Sequence, residues 1–320
     1  MKAFMSYNLQ LKSLKERGLN IKDKSKVKKI LIEENYFNII NGYKKLFLDP
    51  TSTTQTFRKF KAGTDFFEIY ELYNFDRELR NIFFKKILIV ENRIKSAIGY
   101  IFSKKYGIEY LDIDNFDCLN TSKNYDDKKL EKIYGVQIFL LQAYSNKLKS
   151  KTFINHYIKK HKQIPLWVLV KVLTLGSISK FYDVLHQVDQ YEISKYFNTK
   201  DLPRIQKNMK GFIKLITIYR NICAHEERFY NEKVKEGIIE NVYHRKLNIP
   251  FNPGTNQSQY GTQDILALLI SLKALLPKDN FLSLKRKLEN AINKLDKNLV
   301  TISINDVLKE MGFPKNWKDL

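Results

Sequence analysis

Residues 64–107 read TDFFEIYELYNFDRELRNIFFKKILIVENRIKSAIGYIFSKKYG, a run without proline. Leu72, Phe75, Leu79, Phe83, Ile87, Val90, Ile94, Ile98 and Ile101 recur in it at steps of three and four. That spacing puts side chains on one face of an α-helix and marks the face as buried. Thr64 or Asp65 can cap the start, because a side-chain oxygen there accepts a free amide of the first turn. Gly107 ends the run. A helix this long, with one apolar stripe, needs other elements to cover it, and the long stretches without Gly or Pro elsewhere favour helices.

On the N-terminal side, Val27, Ile30, Leu31, Tyr36, Phe37 and Ile40 suggest a helical lead-in from about Lys26 to Leu48, ended near Gly42. A loop over 49–54 follows, and 56–61 reads as a short extended piece. On the C-terminal side, the Asp/Asn-rich stretch 112–127 is an irregular insertion. Helical periodicity resumes over 126–147 and 152–161. Pro165 opens the apolar segment 166–175, where periodicity alone does not separate helix from buried strand, before a further helix through Leu185. Pro203 suits a first helical turn, and Ile205, Met209, Phe212, Ile216, Tyr219 and Cys223 follow at helical steps. A loop over 248–261 precedes helices near 263–276, 281–295 and 304–311. The organisation expected is an N-terminal extension, 1–62, a central bundle, 63–247, with an insertion near 107–125, and a C-terminal extension, 248–320.

The chain has 320 residues, two cysteines and 56 Lys+Arg against 34 Asp+Glu, a net charge of +22. Length suffices for a buried core without disulfides, and zinc-type spacing of Cys and His is absent. The apolar stretches are short and carry Lys171 and Lys273, so no transmembrane helix is expected. The first residues lack a secretory signal, and a cytoplasmic location is expected. The charge favours a polyanionic partner, foremost RNA. AT-rich coding also enriches lysine, so the ten arginines among the 56 carry more weight.

The most informative motif is Tyr219-Arg220-Asn221-Ile222-Cys223-Ala224-His225-Glu226. Its arginine, following polar residue and histidine resemble the ribonuclease motif of HEPN proteins. With Tyr73-Asn74-Phe75-Asp76-Arg77-Glu78-Leu79-Arg80, Pro165-Leu166-Trp167-Val168, Leu175-Gly176-Ser177-Ile178-Ser179 and Gly312-Phe313-Pro314-Lys315-Asn316-Trp317, the chain resembles the Abi-like family of bacterial phage-defence proteins, which includes AbiD and AbiF. The resemblance implies an all-α fold, a HEPN-like helical bundle with N- and C-terminal helical extensions. It also implies a metal-independent RNA endonuclease acting in abortive infection at a homodimer interface, restrained by a partner, for which a structured small RNA is one candidate. A non-catalytic RNA-binding module of the same fold is the alternative, and an oligomerisation domain with a remnant motif is a further one.

The chemistry stands on its own terms. RNA carries its nucleophile, the 2′-hydroxyl, so cleavage needs a proton acceptor, a proton donor and a cation near the phosphoryl oxygens. His225 suits the proton roles near neutral pH, and Arg220, with Asn221 beside it, suits the developing charge. No metal or other cofactor is needed. On an unbroken helix, five residues turn by about 140° beyond a full turn, so Arg220 and His225 would not face one point. Either the helix breaks between them or two copies combine. The bland alternative is that Arg220 pairs with a carboxylate and His225 caps a helix end.

Asp76, Arg80 and Glu91 project within about 60° of one another on the long helix. They read either as groups that hold Arg220 or His225 in place or as an ion-pair network stabilising the bundle. Arg77, Arg93, Arg228, Arg58 and Lys59 read as RNA-contacting, the last two within Phe57-Arg58-Lys59-Phe60-Lys61, where aromatics interleave with cations. Lysine runs at 147–151 and elsewhere can track phosphates. Cys223, on the apolar stripe, reads as a buried core residue.

Overall fold

The computed structural model describes residues 4–52, 58–142, 152–197, 205–254 and 257–320, and they are mostly helical. The all-α reading is correct. The one sheet among the described residues pairs Phe251–Asn252 with Gln257–Ser258. Phe57, Pro203 and the lysine run at 147–151 lie outside the described residues.

The central element is a helix of 41 residues, Phe66–Tyr106. Asp65 is its cap, with Oδ1 accepting the Phe67 amide at 2.9 Å. Leu72, Phe75, Leu79, Phe83, Ile87, Val90, Ile94 and Ile98 are all buried, as the periodicity requires. The stripe ends on Phe102, at 1% exposure, rather than on Ile101, which is half-buried.

The chain forms two compact units, each built from separate stretches. The first comprises 1–83, 222–232 and 283–315. Its N-terminal part is not one lead-in helix. Helices Tyr7–Glu16 and Lys24–Glu34 are followed by a π turn, Phe37–Asn41, and a 3-10 turn, Lys44–Phe47. The break comes at Asn35, whose φ of 66° takes the backbone out of the helical region. Phe60, in the expected extended piece, bridges antiparallel to Leu48. The buried carboxylate of Glu68 gathers the segment before helix Ile304–Glu310. It accepts the amides of Val300 and Thr301 at 2.8 and 2.6 Å and the Thr301 hydroxyl at 2.8 Å.

The second unit comprises 84–221, 233–282 and 316–320. The insertion is irregular as expected, with a 3-10 turn at Ile113–Asn115. Phe116 from it joins Phe102 and Phe181, with centroids 5.3 to 5.6 Å apart. The ambiguous segment 166–175 is neither a strand nor one helix. It is the short helix Leu166–Leu169, followed by a helix Leu175–Asp183 that Thr174 caps by accepting the Ser177 amide. Helix Ile265–Leu275 is buried on every side except at Lys273, as a helix apolar all round must be. None of the described helices is long and apolar enough to cross a membrane.

His244 locks the start of that region. Its Nε2 lies 2.7 Å from the Gly261 carbonyl and its Nδ1 accepts the Asn241 amide at 3.3 Å, so the ring is a neutral Nε2–H tautomer. Burial holds its pKa below the ordinary histidine value. The unfolded chain therefore takes up this proton more readily than the folded one. The stabilisation is complete above about pH 6.5 and is lost as pH falls below it. Stability measured by urea unfolding should drop between about pH 7.5 and about pH 5.5, and by less in His244→Gln than in wild type.

Candidate functional site

The helix that carries Arg220 and Asn221 runs Ile205–Ala224 and presents Met209, Phe212, Ile216, Tyr219 and Cys223 to the core. It ends just before His225. The Glu227 amide donates to the Ile222 carbonyl at 3.1 Å, the Glu226 amide to Cys223 at 3.4 Å, and Glu226 has φ of 55°. This is a Schellman closure with glutamate in the left-handed position that glycine usually takes. The helix thus ends after Ala224, so Arg220 lies on the helix and His225 on the chain that leaves it.

In the first unit, His225 is exposed and lines a groove of about 450 Å³ with Phe37, Tyr43, Tyr73, Arg80 and Arg228. The loop after His225 is fixed from beneath by Asp76. Its carboxylate, fully buried, accepts the Phe229 amide at 3.0 Å, the Tyr230 amide at 2.5 Å and the Tyr43 hydroxyl at 2.5 Å. Arg80 Nη1 donates to the same carboxylate at 2.5 Å and to the Glu227 carbonyl at 3.0 Å. Burial pushes the Asp76 pKa upward, while Arg80, Tyr43 and the two amides oppose that rise. Burial and the Asp76 charge also push the Tyr43 phenol above its ordinary value.

In the second unit, Arg220 is about one-third exposed, with Nε 3.8 Å from Glu91 Oε2 and its guanidinium carbon 5.9 Å from the centre of the Phe84 ring. Glu91 also accepts from Lys95 at 2.7 Å. Neither Arg220 Nε nor Glu91 Oε2 has a hydrogen-bond partner among the described residues. The two charges are therefore paired at 3.8 Å without a hydrogen bond, and the guanidinium lies against the Phe84 ring. Asn221 is exposed.

The polar stripe on the long helix thus divides, Asp76 and Arg80 serving the loop after His225 and Glu91 serving Arg220. The other cations have different surroundings. Arg77 is held bidentately by Glu34 at 3.0 and 2.6 Å and donates to the Tyr73 hydroxyl, which itself donates to Glu34 at 2.7 Å; the bonds from Arg77 and Tyr73 lower the Glu34 pKa. Arg93 donates to the carbonyls of Leu275 and Tyr196. Arg228 donates to the Gly42 carbonyl at 3.0 Å and remains exposed at the groove. Arg58 and Lys59 are exposed, and their backbone carbonyls accept from Arg17 and Asp49. Among the described residues no group of three His, Cys, Asp or Glu side chains is placed to hold a metal ion.

Two contributors escaped the sequence reading. Phe84 precedes Glu91 by seven residues, nearly two helical turns, so helical geometry alone places it beneath the same site. Tyr43 gives no such signal, because its partner Asp76 lies far along the chain.

A family model described as Abi-like protein matches residues 29–231, more than half of the chain. The chain belongs to the Abi-like family. The matched span includes Asp76, Arg80, Glu91, Arg220 and His225, and membership points to abortive-infection defence against phage. No curated protein and no solved structure matches the chain.

Removing Asp76 strands the buried Arg80 charge and three other donors. Asp76→Ala should therefore cost about 3–5 kcal/mol in urea unfolding, with partial recovery when Arg80→Met is added. Burial pushes the Cys223 thiol up to about 12 and raises that of Cys118. In the native protein both should be alkylated by iodoacetamide far more slowly than in urea.

Proposed function

We propose that this Abi-like protein is a metal-independent RNA endonuclease of the HEPN type, in which His225 transfers the proton and Arg220 and Asn221 meet the phosphate. The observation that carries the reading is the pairing of exposure with rigidity at His225. The imidazole is exposed at a groove, while the loop behind it is tied down by the buried carboxylate of Asp76. Proton transfer requires a group fixed in position and open to substrate.

The cleavage scheme assigns each atom. His225 accepts the 2′-hydroxyl proton, the 2′-oxygen attacks the adjacent phosphorus, and the 5′-oxygen leaves after taking a proton from an imidazolium. The products are a 2′,3′-cyclic phosphate and a 5′-hydroxyl. A neutral imidazole and an imidazolium are both required in one turnover. A homodimer supplies them, because a two-fold axis brings the same patch together from each copy. Arg220, steered by Glu91 and Phe84, donates to the phosphoryl oxygens as charge builds there. An enzyme of this kind would harm its host if it were always active. A restraining partner is therefore part of the proposal, and a structured RNA suits a chain of net charge +22.

His225→Ala should lower cleavage of single-stranded RNA by about 10²- to 10⁴-fold while leaving far-ultraviolet circular dichroism unchanged. Wild-type cleavage should persist in EDTA. RNA binding that survives with no cleavage by the wild-type chain would favour the binding-module alternative. Activity that vanishes in EDTA and returns with magnesium would overturn the mechanism. A mixture of Arg220→Ala and His225→Ala chains should regain part of the activity after subunit exchange. A wild-type chain that cleaves while monomeric in analytical ultracentrifugation would refute the shared site.

A further inference from the structure

The motif Pro165-Leu166-Trp167-Val168 has no part in the cleavage scheme, and its tryptophan is its exposed member. Pro165, Leu166 and Val168 are buried, whereas Trp167 is 49% exposed. An indole exposed beside another exposed ring offers a flat apolar face with a polar N–H edge, the pairing that stacking ligands use. Trp167 lines a groove of about 550 Å³ in the second unit, with Tyr100, Ser103, Lys95 and Lys104 from the long helix. Tyr100 is 55% exposed, and its ring stands 6.4 Å from that of Tyr196.

The groove depends on a close approach. A Cβ on Gly99 would lie 3.0 Å from the Trp167 Cα, so glycine is what lets the short helix Leu166–Leu169 settle against the long one. Among the described residues no acidic side chain lines the groove. Lys95 is tied to Glu91 at 2.7 Å, but Lys104 is exposed and has no acidic partner among the described residues. The Ser103 hydroxyl, with almost no exposed surface, has no hydrogen-bond partner among the described residues either.

We propose that this groove takes an unpaired nucleotide of a single-stranded RNA, its base against Trp167 and Tyr100 and its phosphate on Lys104. Aromatic faces accept any unstacked base, and a cation beside them matches the backbone that follows it. Neither feature suits a duplex, whose bases are already stacked. The site goes beyond the cleavage reading and does not depend on it.

Trp167 is one of two tryptophans, and the other, Trp317, is 2% exposed, so ligand-dependent emission reports on Trp167. The test titrates the full chain, as wild type, with a short 2′-O-methyl oligoadenylate, which has no free 2′-hydroxyl and is not cut. Failure of the cleavage reading therefore leaves the titration intact. The oligonucleotide should quench the emission, and Trp167→Ala and Tyr100→Ala, read by anisotropy of a labelled oligonucleotide, should each weaken binding about tenfold. Trp167→Phe should retain most of the affinity. Unchanged affinity in both alanine variants would overturn the proposal. So would equal quenching by duplex RNA, or quenching by phosphatidylserine vesicles with none by the oligonucleotide, which would make the groove a membrane contact.

Discussion

Everything around the motif histidine rests on one buried carboxylate. Asp76 sits in the long helix, out of reach of water, and is tolerable there only because a guanidinium, a phenol and two backbone amides are aimed at it. A carboxylate so buried without partners would be forced to neutralise or to unfold its surroundings. The dependence is mutual. The amides of Phe229 and Tyr230 find in it the acceptor that buried backbone donors require, and that contact fixes the chain after the Schellman closure. Regular secondary structure stops at Ala224, and from there a side-chain acceptor does the work of a ladder.

The arginines show a second use of the same economy. They were expected to mark the RNA surface better than the abundant lysines, yet Arg77, Arg80 and Arg93 place their donors on internal acceptors. A planar fork with five donors is well suited to closing several carbonyl or carboxylate positions at once. Arg220 differs. Its acidic neighbour, Glu91, sits beside Nε, and an aromatic ring lies against its guanidinium. The distinction between a fastening arginine and a contacting one lies in where the acceptors are, which composition does not encode.

This explains what could be read from the chain alone. The long helix, the motif helix and helix Ile304–Glu310 announce themselves by spacing and caps, whereas helix Ile265–Leu275 is legible by its length alone, being apolar all round. Helix Leu166–Leu169 was not legible, since a short all-apolar run has no face to distinguish. Helix Tyr7–Glu16, with only Leu11 and Leu14 buried, was too polar to stand out. The pairing of Asp76 with Arg80 is four residues apart and legible. The loop it holds, and Tyr43, come from distant parts of the chain, and no local pattern predicts which strangers in sequence will meet.

The discontinuity of the first unit also orders events in time. A nascent chain that has made the long helix possesses Asp76 and Glu68 but not the groups they are to bind. The first waits for residues 227–230, and the second for the amides of Val300 and Thr301. Contacts between residues so far apart form late and slowly. Until they form, the histidine is present in the polypeptide without the scaffold that would aim it. Synthesis of Asp76 is thus separated from that of the amides it accepts by about half of the chain, an interval in which the carboxylate waits for the loop that it will hold.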